Sequence, residues 1–185
     1  MKKQKKVFVI TGATGSGKTT VARYLKQHYG MYKVITHTTR APRSNEQDGV
    51  DYYFEDQQSM QQLHLLEKVE YDHHWYGSSL EGLEKGWANH DYDVIVLDTK
   101  GAITYKEKLG DQAVVIFLTV SRLAKLAERL KARGDLKAAI LSRLHSDEYK
   151  RDLTLPRQLK GQAHVIVNDN WLRTTAALDQ IMRQE

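Results

Sequence analysis

A glycine-rich stretch near the N-terminus has residue types and spacing that suit phosphate binding. Residues 12–19 read GATGSGKT and match the pattern G-x-x-x-x-G-K-[ST]. Glycines let successive backbone N–H groups turn inward without Cβ clashes, and a following helix adds its positive N-terminal end. These groups and the Lys18 ammonium would surround a polyphosphate, and the Thr19 hydroxyl would bind Mg²⁺. The stretch therefore predicts a P-loop for a nucleoside triphosphate, with ATP expected, and leaves GTPase, ATPase and small-molecule kinase chemistry open.

A second anion site is indicated by residues 36–54, which read THTTRAPRSNEQDGVDYYF. Arg40 and Arg43 lie on either side of Pro42, which disfavours helix at the preceding residue and stiffens the turn. Two guanidinium groups on one rigid loop suit a phosphate monoester, because charge-assisted hydrogen bonds are the strong ones. Three nearby hydroxyl groups would add donors: those of Thr36, Tyr52 and Tyr76.

Several stretches resemble the guanylate kinase family in order and spacing. Besides the P-loop they are TTRAPR with DGVDYYF, WYGSS, LDTKGA, RLKARGD and VND, and together they cover nearly the whole chain. The resemblance implies ATP- and Mg²⁺-dependent transfer of phosphate to GMP, giving GDP and ADP. It also implies a core of residues 1–33, 91–120 and 160–185, a GMP-binding lobe of residues 34–90, and a lid of about residues 121–159.

The resemblance assigns the acceptor site residue by residue. It implies that the GMP phosphate is bound by Thr36, Arg40, Arg43, Tyr52 and Tyr76. It implies that guanine is read by Glu67, Ser78 and Asp98. A carboxylate accepts only, so it suits the adjacent N1–H and amino donors of guanine. From its surroundings in the sequence alone, Glu67 is expected to be an exposed acid near the end of a helix.

The resemblance also assigns the donor site and the charges that act in transfer. ATP binding is implied for Gly12, Ala13, Thr14, Gly15, Ser16, Gly17, Lys18, Thr19, Thr20 and Asn168. Arg133 and Arg143 match lid arginines that close over the ATP phosphates. Phosphoryl transfer mainly needs alignment and cations that meet the spreading negative charge. The expected catalytic cations are therefore Lys18, Arg40, Arg133 and Arg143, with Mg²⁺ held by Thr19.

Apolar runs predict the strands of the core. Four short runs without alternation lie at residues 7–10, 94–97, 114–118 and 165–167, as expected for a parallel sheet covered on both faces. Helices are predicted over about 19–29, over about 122–133 with Ser121 as N-cap, over about 136–150 and over about 171–183. The pattern favours an α/β, doubly wound fold of the P-loop NTPase type. The lobe at 34–90 is predicted as an inserted α+β unit of short strands with a helix near 59–68.

Composition limits the other classes of function. The net charge is +5, but without the four lysines at positions 2, 3, 5 and 6 the balance is 24 basic against 23 acidic residues. We therefore expect no nucleic-acid partner. The chain has no cysteine and no apolar stretch long enough for a membrane span, so we expect a cytoplasmic protein without a membrane partner. The sequence does not predict the oligomeric state.

Departures from the family pattern leave alternatives. Val96 and Lys100 stand where the family usually has Asp and Gln, and the lid is one residue shorter than usual. A kinase of another monophosphate, such as dGMP, IMP or a phosphorylated sugar, therefore stays open. So does a non-catalytic guanylate-kinase-like binding module, although such modules typically lack an intact P-loop.

Overall fold

The computed structural model describes residues 4–42, 46–71, 73–132, 134 and 137–185. Its strands are β1 Lys6–Thr11, β2 Tyr32–Lys33, β3 His37–Thr38, β4 Tyr53–Phe54, β5 Leu65–Tyr71, β6 His74–Ser79, β7 Tyr92–Val96, β8 Ala113–Thr119 and β9 Ala163–Val167. Its α-helices are α1 Lys18–Tyr29, α2 Gln57–Gln62, α3 Leu80–Trp87, α4 Thr99–Leu109, α5 Ala124–Ala132, α6 Lys137–His145, α7 Asp147–Asp152 and α8 Trp171–Gln184.

The main sheet is parallel, with strand order β2-β7-β1-β8-β9. One face packs against α1 and α8 through Leu25 and Leu178, and the other against α3 and α4 through Leu83 and Ala102. Coverage of both faces explains why the strands read as continuous apolar runs. The predicted doubly wound α/β fold and its four long strands are confirmed. The fifth strand, β2, has only two residues and is too short to show a pattern.

A second sheet of four strands, in the order β4-β3-β6-β5, is built from residues between β2 and β7. The β5–β6 hairpin is antiparallel, as is the β3–β6 pair, whereas β3 and β4 run parallel. The prediction of a helix over 59–68 was wrong in its second half. Helix α2 ends at Gln62, and from Glu67 to Glu70 half-buried and exposed residues alternate, which is the period of a strand.

Two further helix predictions were wrong in detail. The helix expected over 136–150 is two helices, because Ser146 interrupts it: the Ser146 hydroxyl accepts from the Tyr149 N–H and begins α7. Ser121 is not the N-cap of α5, since its N–H donates to Asp169 and the helix starts at Ala124. Leu123 is consequently exposed instead of belonging to the buried face of that helix.

None of the helices in the described part of the chain combines the length and the apolar composition needed to cross a bilayer.

An acidic residue is buried in the core of the main sheet. Asp93 on β7 is fully buried, and neither carboxyl oxygen has a hydrogen-bond partner among the described residues. Helix α3 lies directly against it, so a Cβ at Gly86 would collide with the carboxyl group. Burial raises the pKa of Asp93 to about 7, and the charge of Lys5 offsets this only in part.

This carboxyl group should make stability depend on pH. Its pKa in the folded state lies above the value of about 3.9 in an unfolded chain, so folding favours the protonated form. The contribution to stability is therefore fully present below pH 4 and is lost as the pH rises through about 7. We expect Asp93→Asn to remove roughly 3 kcal/mol of the fall in unfolding free energy between pH 4.5 and 7.5, measured by urea titration. Asp91→Asn, an exposed neighbour, is the control, and equal slopes for wild type and Asp93→Asn would contradict the assignment.

Candidate active site

The P-loop connects β1 to α1 with the backbone that its glycines require. Gly12, Gly15 and Gly17 have φ values of 128°, 81° and 99°, a region that other residues rarely adopt. A Cβ at Gly12 would also collide with the carbonyl of Leu118 on β8. Lys18 begins α1, and its ammonium donates to the carbonyls of Gly12 at 2.7 Å and Ala13 at 3.0 Å. The loop therefore curls around the lysine head group at the positive end of the helix.

A cleft of about 810 Å³ opens over this loop and is here called the P-loop cleft. It is lined by Thr14, Gly15, Gly17, Lys18, Thr19, Thr20, Arg23, Arg129, Leu130, Asn168, Asp169 and Trp171. Of the residues predicted to bind ATP, the other three, Gly12, Ala13 and Ser16, lie buried beneath the loop surface.

Asn168 holds the P-loop against the end of β9. Its side-chain amide donates to the Ser16 carbonyl at 2.8 Å and accepts from the Thr174 hydroxyl of α8 at 2.9 Å. A Cβ at Gly17 would collide with this same amide. Both ends of the side chain are thus engaged within the protein, and a contact with adenine stays a prediction.

Arg129 on α5 adds a second connection to the same place. Its guanidinium donates to the carbonyl of Asn168 at 2.6 Å and to that of Gly15 at 3.3 Å. Helix α5 is thereby joined to the P-loop and to the end of β9. A positive charge is placed at the edge of the P-loop cleft.

A second cleft, of about 540 Å³, lies between the small sheet and the carboxyl end of β7 and is here called the lobe cleft. It is lined by Thr36, Tyr52, Glu67, Lys68, Val69, Glu70, Tyr76, Gly77, Val96, Leu97, Asp98, Lys100, Glu148 and Arg151. Most of the residues predicted for an acceptor nucleotide are therefore gathered around one space.

Arg40 does not itself line the lobe cleft but contacts two tyrosines that do, Tyr52 and Tyr76. Its Nε donates to the Tyr76 hydroxyl at 3.2 Å, and its Nη2 contacts both carboxylate oxygens of Glu46 at 2.9 Å. The guanidinium also lies 5.7 Å from the centre of the Tyr52 ring. These contacts fix the side chain next to the two predicted tyrosines. Burial by itself would lower the pKa of Arg40, but the hydrogen bonds and charges of Glu46 and Tyr76 together raise it above its ordinary value.

Glu67 and Ser78 face each other across the β5–β6 hairpin. The Ser78 hydroxyl donates to the Glu67 carboxylate at 3.1 Å, and Ser78 itself is fully buried. The expectation of an exposed Glu67 at a helix end was wrong, because the residue lies half-buried on a strand. Burial, reinforced by the charge of Asp98, raises the pKa of Glu67 to about 7, although Ser78 and Lys108 act in the opposite direction.

Asp98, the third predicted base reader, already serves the protein with both oxygens. One oxygen caps α4 by accepting from the Gly101 N–H at 2.7 Å, and the other accepts from Arg151 on α7 at 2.7 Å. Arg151 also binds Asp152, which in turn accepts from the hydroxyl of Thr99. This network fastens α7 to the start of α4 at the floor of the lobe cleft.

A smaller cavity of about 210 Å³ shares lining residues with both clefts. It shares Thr14 and Lys18 with the P-loop cleft, and Asp98 and Glu148 with the lobe cleft. Lys18 and Asp98 therefore line the same small cavity, which places the P-loop next to one of the predicted acceptor residues.

Comparison with known proteins identifies the family of this arrangement. The sequence profile of guanylate kinase matches residues 4–185. The chain belongs to the guanylate kinase family. It is 34% identical over 95% of its length to a guanylate kinase of Neisseria meningitidis serogroup A, covering 86% of that protein. A guanylate kinase of Chlamydia caviae is 31% identical over 97% of the chain, which covers 88% of that protein. The crystal structure of guanylate kinase from Anaplasma phagocytophilum matches 100% of this chain and 87% of that one, with a TM-score of 0.65 and 26% identity.

Three arginines predicted from the guanylate kinase family cannot be placed. Arg43 and Arg133 lie outside the described residues, and Arg143 lies on α6 with a side chain that is likewise outside the description. The segment predicted as a lid, residues 121–159, nevertheless lines the clefts in its described part, through Arg129 on α5 and through Glu148 and Arg151 on α7.

Arg129, Glu148 and Arg151 were not identified as site residues from the sequence. Arg129 lies within the family-like stretch RLKARGD, four residues before Arg133, so its position in the sequence could have indicated that it lies near the ATP site. Glu148 and Arg151 sit in a polar stretch that reads as a solvated helix face, and only the packing of α7 shows where they point.

The role of Asn168 in holding the P-loop can be tested by removing its amide. We expect Asn168→Ala to leave the Ser16 carbonyl and the Thr174 hydroxyl without this partner, lowering the unfolding free energy by about 1–3 kcal/mol. The looser loop should also raise the KM for ATP more than the KM for the acceptor. Both effects would be measured by urea titration and steady-state kinetics, with exposed Asn89→Ala as control. A variant with unchanged stability and unchanged KM for ATP would contradict this role.

Proposed function

We propose that the protein transfers the γ-phosphoryl group of ATP to GMP, giving ADP and GDP. The observation that carries the proposal is the adjacency of two clefts, one over the P-loop with Lys18 and one lined by the half-buried carboxylate of Glu67, with a small cavity that shares lining residues with both. A phosphate cradle alone would suit many activities, and family membership narrows them to nucleotide kinase chemistry. The acceptor carboxylate is the feature that favours guanine.

The P-loop cleft would bind the donor. Its backbone N–H groups and Lys18 would hold the β- and γ-phosphates of ATP, as in other P-loop proteins. The described residues contain no group of three or more His, Cys, Asp or Glu that could hold a metal ion by themselves. Mg²⁺ keeps several waters and is commonly bound with substrate phosphates, and the exposed Thr19 hydroxyl at the cleft would be its protein ligand. When bound, Mg²⁺ would neutralise charge on the phosphate oxygens.

The lobe cleft would bind GMP with its phosphate towards Arg40. Tyr76 and Tyr52 border this end, and Arg40 bonds one and packs against the other. The phosphate would compete with Glu46 for the guanidinium, so binding would exchange one anionic partner for another. Thr36 lines the same cleft, and we propose that it and Arg43 complete the phosphate site.

Guanine would lie against Glu67. An ionised carboxylate can accept from both N1–H and the 2-amino group, whereas the unprotonated N1 of adenine would face it with an acceptor. The raised pKa of Glu67 means that its ionised form is poorly stabilised by the protein alone. Two donors from the correct base would relieve this, which gives guanine an advantage that adenine lacks.

Transfer would then depend on alignment and on cations. The acceptor is already an anionic phosphate, so no general base is needed. Lys18 borders the space between the clefts, and we propose that Arg40, Arg129 and the lid residues Arg133 and Arg143 add charge around the transferred group. We further propose a division into core, GMP-binding lobe (34–90) and lid (about 121–159), in which lid closure excludes water as a competing acceptor.

Two alternatives are less well supported. A phosphorylated sugar would leave the Glu67–Ser78 pair without a partner, which a dedicated sugar kinase has no reason to keep. A non-catalytic binding module would not need an intact P-loop, and here Lys18 is in place within the loop. IMP keeps the N1–H group but lacks the 2-amino group, so it is expected to be a weaker acceptor of the same enzyme. dGMP carries the same base as GMP and is expected to be a comparable acceptor.

Acceptor specificity tests the proposal directly. ADP formation from ATP and Mg²⁺ would be measured with GMP, dGMP, IMP, AMP, UMP and ribose 5-phosphate as acceptors. We expect GMP to give the highest kcat/KM, and Glu67→Gln to lower it about 100-fold with little change in the KM for ATP. Exposed Glu84→Gln is the matched control. Equal use of AMP and GMP would refute guanine recognition, and a folded protein that forms no ADP with any acceptor would favour the binding module.

A further inference from the structure

A tyrosine of the core reaches the base end of the lobe cleft from behind. Tyr105 on α4 is fully buried, and its hydroxyl lies 2.9 Å from the Ser78 Oγ of the small sheet. Ser78 in turn lies 3.1 Å from Glu67 Oε1. The three side chains form a chain of hydrogen bonds that starts in the core of the main sheet and ends at the carboxylate facing the cleft.

The directions of these hydrogen bonds follow from the chemistry of the groups. An ionised Glu67 has no proton, so it can only accept, and Ser78 must donate its single hydroxyl proton to it. Ser78 then has only lone pairs to offer Tyr105, so the phenol must donate to Ser78. Burial also raises the pKa of Tyr105, which keeps its proton in place.

This arrangement restricts what Ser78 can do. While Tyr105 donates to it, the Ser78 proton is directed to Glu67, whose carboxylate lines the lobe cleft. Without the phenol, Ser78 would lose the partner that fixes its hydroxyl rotor in the interior. Hydrogen bonds in such a chain also polarise one another, so the Ser78 bond to Glu67 is stronger with Tyr105 than without it.

We propose that Tyr105 is a positioning residue for base recognition, acting through Ser78 to orient and stabilise the ionised Glu67 carboxylate. This inference rests on the proposed function, since it concerns how that same site recognises guanine. Because Tyr105 lies on α4, this helix would contribute to acceptor specificity through a residue that does not contact the acceptor. The hydrogen-bond chain also links the lobe sheet to the core helix at the point where the base would lie.

The charges around Glu67 make the effect measurable. Its pKa is about 7, raised first by burial and then by Asp98 at the start of α4, and lowered by Ser78 on β6 and by Lys108 on α4. Arg151 and Glu148 on α7, and Lys68, Glu70 and Lys100, also border the lobe cleft. The Lys108 ammonium is fixed by the Leu66 carbonyl at 2.7 Å. Because these groups leave Glu67 close to half-ionised near neutral pH, a small loss of donor strength changes the fraction that can bind guanine.

A simple packing role for Tyr105 is the competing explanation, because its ring lies in the core beside Val9 and Leu83. Tyr105→Phe separates the two, since it keeps the ring and removes only the donor. Tyr105→Met is a second variant without a donor, should the phenylalanine variant be poorly folded. Tyr24→Phe is the matched control: it removes a half-buried hydroxyl that donates to Asp179 at 2.8 Å, on the opposite face of the main sheet.

The test is a double-mutant cycle on the KM for GMP, using wild type, Tyr105→Phe, Ser78→Ala and the double variant. We expect Tyr105→Phe to raise the KM for GMP about threefold to tenfold, with the KM for ATP unchanged within about twofold. In the Ser78→Ala background the same substitution should have no further effect on the KM for GMP. The KM for GMP should rise as the pH is lowered from 8 to 6, and this rise should begin at a higher pH in Tyr105→Phe, because the ionised form of Glu67 is less stabilised there. The titration of the GMP phosphate is common to both proteins and does not affect the comparison.

Each outcome decides something. Equal KM values for GMP in wild type and Tyr105→Phe, or the same loss with and without Ser78, would overturn the inference and leave the proposed function standing. A shift in thermal stability without a change in KM would assign Tyr105 to packing alone. A wild-type protein that does not phosphorylate GMP would contradict the proposed function, and the inference with it.

Discussion

A half-buried carboxylate at the end of a polar cleft is the constraint on which the account of the acceptor site depends. Glu67 gains one hydrogen bond from Ser78 and lies near a second acid, Asp98, which disfavours its charge. A protein interior tolerates such a group only with compensation, and here the compensation is incomplete. A ligand with adjacent donors would supply the missing hydrogen bonds, and this is the physical basis of the proposed preference for guanine.

The positions of the two clefts follow from the parallel sheet. The P-loop follows β1, Asp98 lies two residues beyond β7, and Asn168 follows β9, so all three are at the carboxyl edge of one sheet. Ligands of such sheets bind at this edge. The small sheet then presents Glu67 and Tyr76 to the same edge, and α7 is fastened across it by the contact between Arg151 and Asp98. Hydrogen bonds therefore join α7 and the start of α4 beside the lobe cleft.

The fold could be predicted largely from local signals. The P-loop spacing and the apolar runs of β1, β7, β8 and β9 have direct physical causes in backbone geometry and burial. The β5 strand was missed in part because a capped first turn at Asp56 resembles the start of a longer helix. The break at Ser146 was missed for the opposite reason, because a serine within a helical pattern is not by itself a stop signal.

The residues of the candidate site were predicted mainly through family resemblance. The hydrogen-bond network that holds them in place was not predicted. Glu67 has no local signal, since its half-burial depends on pairing between β5 and β6. The contacts of Tyr105, Arg129 and Arg151 each join segments that are distant in sequence, as with the separation of 53 residues between Asp98 and Arg151. Tyr105 in particular reads as an aromatic residue on the buried face of a helix. The role of its hydroxyl can be recognised only in the folded structure, where it lies 2.9 Å from the Ser78 Oγ.

Proton release on GMP binding tests the central claim most directly. Calorimetric titration with GMP at pH 7, in buffers of different ionisation enthalpy, would count the protons released for the wild type and for Glu67→Gln. If Glu67 is close to half-ionised before binding and fully ionised against guanine, the wild type releases about half a proton more than the variant. Equal proton release by the two proteins, together with equal affinity for GMP, would contradict the account.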